Sequence, residues 1–374
     1  MPKTRLFDPI QLRDVEIPNR ITVAPMCQYT ARDGLAGNWH LVHLGQFAIG
    51  GPGLVFVEAT GVEAEGRITP GCTGLWSDAH EEAFKPIMQF YRDYGAAKIG
   101  MQLAHAGRKA SSDVPWAGGV PLKDDRAWQT YGPSALPYAD GWHVPEAFGD
   151  NSLQRVRDAF VSATERCVRL DFDVIELHSA HGYLLHQFLS PISNQRDDQY
   201  GGSLENRMRF PLEIFDAVRA AWPAGKPLGV RFSATDWVED SGWGLPEAIE
   251  YTKQLAARGC DFVDVSSGGN SPLQQIQVGP GYQTGFAAAI KTAVPEMTVM
   301  TVGKITDPHQ AEHILHSCQA DMVALARGIT VNPHWAWHAA ITLGDERAAF
   351  PPQYARSHPS LSGLPIPGNP PPAK

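Results

Sequence analysis

Two imidazoles and a phenol stand together in His178-Ser-Ala-His181-Gly-Tyr183, directly after the apolar run 172–177. These side chains donate hydrogen bonds and move protons near neutral pH. At a strand end they could polarise an oxygen, pass a proton or bind a metal. A metal on His178 and His181 needs a third ligand, for which His105 is the remaining candidate. The pair could equally do no more than satisfy nearby backbone groups. His40 and His43, three residues apart on an expected first helix, read as packing residues.

Other chemistry-bearing residues close the remaining apolar runs. They are Pro25-Met26-Cys27, Glu58-Ala59, Gln102 with His105, Arg231, Ser266-Ser267, Gly303 and Arg327. No pair of carboxylates flanks a common site, because Glu176 and Asp264 fall inside their runs. That disfavours glycoside hydrolysis. The one lysine near a strand end, Lys304, follows a glycine in an expected phosphate loop, which disfavours Schiff-base chemistry. Val302-Gly303-Lys304 and Ala326-Arg327-Gly328 combine a glycine backbone with an arginine, as a phosphate site requires. Arg231 offers fixed positive charge to an anionic ring edge. Gln102 offers a donor and an acceptor to a polar heterocycle. A flat phosphorylated cofactor with a pyrimidine edge meets all three demands. Reduced flavin, which carries negative charge near N1, is one such group.

The scaffold that must hold these residues is legible as eight β-rich runs: 21–26, 54–59, 98–103, 172–178, 228–233, 262–266, 298–303 and 321–327. Each is too continuously apolar for a strand with one wet face, which suits a parallel sheet buried on both sides. Helical patterns lie between them. Ser77 opens a helix over 78–94, and Ser152 precedes a run to Leu170. Another run extends from Leu204 to Trp222. Asp307-Pro308 and Asn332-Pro333 supply cap-plus-proline starts. The alternation predicts a (β/α)8 TIM barrel. An open doubly wound sheet is the competitor, weakened by the lack of GxGxxG after the first run. A barrel takes roughly 250 residues. The 374-residue chain therefore carries additions to a single domain: a segment to Arg20, a Trp-, Gly- and Pro-rich insert over 107–150, a loop over 190–203 and a tail over 351–374. The insert follows strand three and is expected to cap the barrel mouth.

Hydrophobic residues make up 43% of the chain and charged residues 19%, with a formal net charge of −9 and no Lys/Arg block. A nucleic-acid or anionic-membrane surface is disfavoured. The five cysteines are scattered and form no CxxC, so neither a disulfide framework nor a metal centre is expected. No apolar run is as long as a membrane span, and the N-terminus has no signal-peptide core. A cytoplasmic protein is expected.

The motifs Asn19-Arg20-Ile-Thr-Val-Ala-Pro-Met-Cys27, Gln102-Leu-Ala-His-Ala-Gly-Arg-Lys109, His178-Ser-Ala-His-Gly-Tyr183 and Tyr200-Gly-Gly-Ser-Leu-Glu-Asn-Arg207 occur in this order. Together they resemble the old yellow enzyme family of flavin-dependent ene-reductases. The resemblance runs from Leu6 to about Arg356. Cys27 and Gln353-Tyr354-Ala-Arg356 resemble the thermophilic-like bacterial branch of NADPH dehydrogenases.

The resemblance implies non-covalent FMN, with NADPH or NADH as hydride donor and an α,β-unsaturated carbonyl compound as acceptor. It implies that Ala24, Pro25, Met26 and Cys27 line the flavin, with the Cys27 sulfur near its redox-active edge. Ala59 offers its backbone to the ring, and Gln102 and Arg231 bind the pyrimidine side. Gly303, Ala326 and Arg327 hold the phosphate. Ala326 stands where related enzymes often have glycine. His178 and His181 bind the substrate oxygen with help from Tyr29, and Tyr183 donates the proton. Arg356 reaches a neighbouring subunit's pocket in a homodimer or homotetramer. No metal, nucleic acid or membrane is implied. The alternatives are another flavin barrel such as a dienoyl-CoA reductase, a barrel lyase or metal enzyme, and a binding protein that kept the fold. The first of these lacks its iron–sulfur cysteines here.

Overall fold

The eight apolar runs close into one barrel. In chain order its strands are β1 (Ile21–Val23), β2 (Leu54–Gly61), β3 (Lys98–Ala104), β4 (Val174–Ser179), β5 (Leu228–Ser233), β6 (Phe262–Ser266), β7 (Thr298–Val302) and β8 (Met322–Leu325). All neighbours pair in parallel, and β8 returns to β1. The structure is a computed structural model that describes residues 4–239 and 242–357. The open doubly wound alternative is thereby excluded.

Two hydrophobic cores flank the strands. The inner one holds Phe56, Val174, Phe262, Met300 and Met322 inside the barrel. Two glycines make room for the largest of these. A Cβ on Gly100 would sit 2.5 Å from the Phe56 ring, and one on Gly229 would sit 2.3 Å from the Phe262 ring. Leu12 and Ile17, from an antiparallel hairpin of Ile10–Leu12 and Val15–Ile17, complete this cluster. The outer core lies between strands and helices, with Phe84, Phe160, Phe172, Phe215 and Tyr251 among its members.

The helices are α1 (Asn38–Ala48), α2 (Asp78–Tyr94), α3 (Asp150–Leu170), α4 (Leu184–Leu189), α5 (Leu204–Ala221), α6 (Leu245–Ala257), α7 (Thr284–Ala293), α8 (Pro308–His316), α9 (Arg327–Val331) and α10 (Trp335–Leu343). The Ser77, Leu204 and Asp307 starts are observed, and Asp307 accepts the His309 N–H at 2.9 Å. Two expected starts differ. Ser152 lies inside the first turn of α3, where its hydroxyl bonds back to Gly149. Asn332 spends its amide on His338 Nδ1 at 2.7 Å, and α10 begins three residues later. The six-residue α4 was not anticipated, because it is buried throughout and shows no amphipathic period.

The segment 107–149 between β3 and α3 contacts loops at the C-terminal strand ends. Trp116 meets Tyr29 edge-on at 5.7 Å, and Trp128 Nε1 donates to the Glu65 carbonyl at 3.0 Å. Arg108 donates to the Asn270 carbonyl at 2.8 Å. At the C-terminal side, Trp337 stacks on Phe350 and meets Tyr354 edge-on, which fastens the start of the tail to α10. Residues 363–374, the proline-rich end of the expected tail, lie outside the described residues. Among the described residues no helix is long and apolar enough to cross a membrane.

Candidate active site

The turn from β4 into α4 brings His178, His181 and Tyr183 together. The His178 ring lies edge-on to His181 at 5.2 Å and to Tyr183 at 5.0 Å, centroid to centroid. The turn needs two successive left-handed residues, His181 (φ 58°) and Gly182 (φ 72°). Only glycine fits the second position, because a Cβ there would lie 2.3 Å from the Gly269 carbonyl oxygen. The strain at His181 is held by several bonds. Its N–H donates to Ser233 Oγ at 2.9 Å, and the Gly182 N–H donates to His186 Nδ1 at 2.9 Å.

Lys109 closes the same turn from outside. Its Nζ donates to the His181 carbonyl at 2.9 Å and to the Gly269 carbonyl at 2.8 Å. In the sequence Lys109 is only the last residue of a motif, but here it joins the loops after β4 and β6. Burial, with Arg108 adding repulsion, pushes its pKa down to about 7.

His178 has a defined tautomer. The Ala180 N–H donates to its Nδ1 at 3.2 Å. Burial and the nearby Arg231 push its pKa well below the usual range, so the ring is neutral. The single ring proton is therefore on Nε2. The histidine thus satisfies a local backbone group and still presents a donor. His181 is neutral for the same reasons, and its Nε2 lies 2.7 Å from Ser266 Oγ. Burial pushes the Tyr183 phenol well above its ordinary pKa, which keeps its proton in place at neutral pH.

His105 does not join these rings. Its Nε2 lies 3.0 Å from Glu63 Oε1 and its Nδ1 accepts from the Gly107 N–H. The three-histidine metal reading therefore fails on geometry. His40 is likewise structural. It accepts from the Gly37 N–H and faces Glu58 at 3.1 Å, while His43 packs on Phe47.

Beneath the turn runs a layer of buried polar residues. Gln102 on β3 pairs in register with Glu176 on β4, and Gln102 Nε2 donates to Glu176 Oε1 at 2.7 Å. Arg231 on β5 pairs in register with Asp264 on β6, and Arg231 Nε lies 3.1 Å from Asp264 Oδ2. Burial, reinforced by Asp264, pushes the Glu176 pKa well up. Sequence reading set Glu176 and Asp264 aside as strand-interior residues. They orient the amide and the guanidinium, and inter-strand register is the signal that would have found them.

A cavity of ≈ 210 Å³ opens beside this layer at the ends of β5, β7 and β8. His181, Arg231, Gly303, Lys304, Ala326 and Arg327 line it, together with Gln283 and Tyr282, which sequence reading missed. Three of its lining residues are cationic and none is a carboxylate. The chemistry of this donor set fits a phosphate joined to a heterocycle that becomes anionic on reduction, as FMN is. Gln283 is fixed by donating to the Val302 carbonyl at 2.8 Å and accepting from Ser267 Oγ.

The end of β1 reaches the same region. Ala24 is buried, and Pro25, Met26, Cys27 and Tyr29 are half-buried. Met26 Sδ accepts from Thr330 Oγ1 on α9 at 3.2 Å, which ties this segment to the β8 end. Ala59 lies in a register shift of β2 between Val57 and Thr60, a bulge that frees its backbone from the ladder. Arg356 is exposed on the turn Pro352–Ser357. Among the described residues it makes no hydrogen bond or ion pair with this site.

A model of the NADH:flavin oxidoreductase / NADH oxidase family matches residues 5–346. An NADH:flavin oxidoreductase of Gibberella zeae is 44% identical over 360 residues, covering 92% of this chain and 87% of that protein. An NADPH dehydrogenase of a Geobacillus species is 42% identical over 344 residues, covering 91% and 95%. The solved structure of an old yellow enzyme homologue from Zymomonas mobilis superposes with a TM-score of 0.75 at 25% identity, covering 96% of this chain and 99% of that one. The barrel, the cationic cleft and these matches agree. The chain belongs to the NADH:flavin oxidoreductase / NADH oxidase family, as an FMN-dependent NAD(P)H oxidoreductase of the old yellow enzyme type.

Proposed function

We propose that this enzyme reduces the activated C=C bond of α,β-unsaturated carbonyl compounds with electrons from NADPH or NADH. The observation that carries this reading is the His178 Nε2–H, fixed by the Ala180 N–H and set beside His181 and Tyr183. When bound, FMN would supply the hydride chemistry that links the nicotinamide to the substrate's β-carbon. The protein supplies the rest. His178 donates to the carbonyl oxygen and stabilises the enolate-like charge that grows there. His181, steadied by Ser266, supports the same oxygen, and Tyr29 flanks it. Tyr183 gives its proton to the α-carbon. Gln102 and Arg231, oriented by Glu176 and Asp264, hold the pyrimidine edge. Gly303, Ala326 and Arg327 hold the phosphate, while Ala24, Pro25, Met26, Cys27 and Ala59 line the ring. In this reading the exposed Arg356 serves a neighbouring subunit's pocket in a homodimer or homotetramer.

The test uses the yellow holoenzyme without oxygen. NADPH should bleach it and 2-cyclohexenone should restore the colour. A His178→Ala enzyme should bleach normally but recover slower by on the order of 10²–10³. A wild-type enzyme that stays bleached with enones overturns the proposed reaction. Normal recovery in the variant overturns the role of His178.

A further inference from the structure

Cys27 does not stand alone at the end of β1. Its sulfur, the Cys72 sulfur and a Glu58 carboxylate oxygen all lie within 4.8 Å of one another. The backbone imposes this meeting. Cys72 ends a tight turn in which its N–H donates to the Thr69 carbonyl, its sulfur accepts from the Thr69 N–H at 3.4 Å, and the same sulfur shares a hydrogen bond with the Thr69 hydroxyl at 3.4 Å. The turn docks on the segment after Cys27, where the Ala31 N–H donates to the Gly71 carbonyl at 2.9 Å. Gly71 permits that approach, since a Cβ there would lie 2.4 Å from the Tyr29 carbonyl oxygen. Cys27 is half-buried and Cys72 fully buried, so small solutes approach the pair from the Cys27 side.

We propose that Cys27 and Cys72 form a dithiol site that hydrogen peroxide closes reversibly to a disulfide, switching the enzyme down. In the first step Cys27 passes its proton to the neighbouring Cys72 sulfur and attacks peroxide as the thiolate. An S–O bond forms, the O–O bond breaks, and one oxygen leaves as water, giving a sulfenic acid. In the second step the Cys72 sulfur attacks Cys27. The S–S bond forms and the second oxygen leaves as water. The two thiols lose two electrons and two protons, and one peroxide becomes two waters. The thiol contact supplies the proton acceptor for the first step and the nucleophile for the second, because it draws the Cys72 pKa below the ordinary thiol value while the resting proton sits on Cys27. The Thr69 N–H favours the same Cys72 thiolate. Closure needs the sulfurs to come to about 2.0 Å by side-chain rotation. It removes the Cys27 thiol that neighbours Tyr29 and the proposed flavin edge.

The test treats FMN-loaded enzyme with hydrogen peroxide, alkylates free thiols and maps tryptic peptides by mass. The chain has five free cysteines. Two of them should become unreactive, with Cys27 and Cys72 joined in one peptide pair that dithiothreitol separates. In Cys72→Ser, Cys27 should instead pass to sulfinic acid, which dithiothreitol does not reverse. An unlinked Cys72 that still alkylates after peroxide overturns the dithiol. A linked pair with unchanged enone turnover overturns the switch. Only that last readout rests on the proposed function. If the enzyme never reduces enones, the peptide map still decides the dithiol.

Discussion

Lys109 Nζ lies 5.0 Å from the Tyr183 ring centroid while it holds the His181 carbonyl at 2.9 Å. One amine thus steadies the left-handed turn and faces the proposed proton donor. A neutral amine keeps two N–H groups, enough for the two carbonyls it binds.

The pH dependence follows from a pKa pushed down to about 7. The Lys109 charge is present below that value and, in the proposed reaction, stabilises the tyrosinate that proton transfer from Tyr183 leaves behind. Enone turnover should therefore fall as pH rises through about 7, and Lys109→Met should flatten the fall. Stability runs the other way. The group is depressed from its ordinary 10.5, so the stability linked to it is present above that value and is lost as pH falls toward 7. Thermal melts at pH 7 and pH 10 should show this component in the wild type and not in Lys109→Met.

Glu176 is pushed well above the usual carboxyl range, so its neutral form is favoured in the barrel. Stability linked to it is present below the unfolded carboxyl pKa and is lost as pH rises through the raised one. Glu176→Gln keeps an acceptor for Gln102 and removes the ionisation, so the variant should gain stability relative to wild type at alkaline pH. Glu176→Ala leaves the Gln102 amide unpaired and should cost about 1–3 kcal/mol. Urea unfolding at two pH values checks both.

Gly182→Ala must place a methyl 2.3 Å from the Gly269 oxygen at a φ of +72°. A loss of about 1–3 kcal/mol is expected, with enone turnover falling further than FMN content. Differential scanning fluorimetry and flavin absorbance on one preparation separate the two effects.

Arg327→Ala removes one of three cationic residues from a cleft without a carboxylate. Losing hydrogen bonds to a charged group costs about 1.5–3 kcal/mol, which is roughly tenfold to a hundredfold in FMN affinity. Titrating apoenzyme by quenching of flavin fluorescence measures it.

The strands were legible because both faces of each are buried, which leaves runs such as 54–57 with no polar alternation. The residues at their ends were legible for the same reason, since His178 and Arg231 interrupt those runs. The supports were not. Lys109 finds its acceptors 72 and 160 residues away, on carbonyls that carry no sequence signal. Glu176 and Asp264 gain meaning only once register places them beside Gln102 and Arg231. The Cys27–Cys72 approach depends on a glycine turn, and scattered cysteines give no hint of it. The bland reading of His178, as a ring that satisfies a neighbouring N–H, describes its Nδ1, and the proposed chemical role needs only the other nitrogen.

The hairpin that contributes Leu12 and Ile17 fills the far end of the barrel. The barrel is a cup with a stoppered base, and its cationic cleft opens at the opposite end. Under the proposed reaction, a nicotinamide and an enone that share that opening exclude one another, and each in excess becomes an obstacle to the other. The short ribbon of chain at the base is what denies them a second way in.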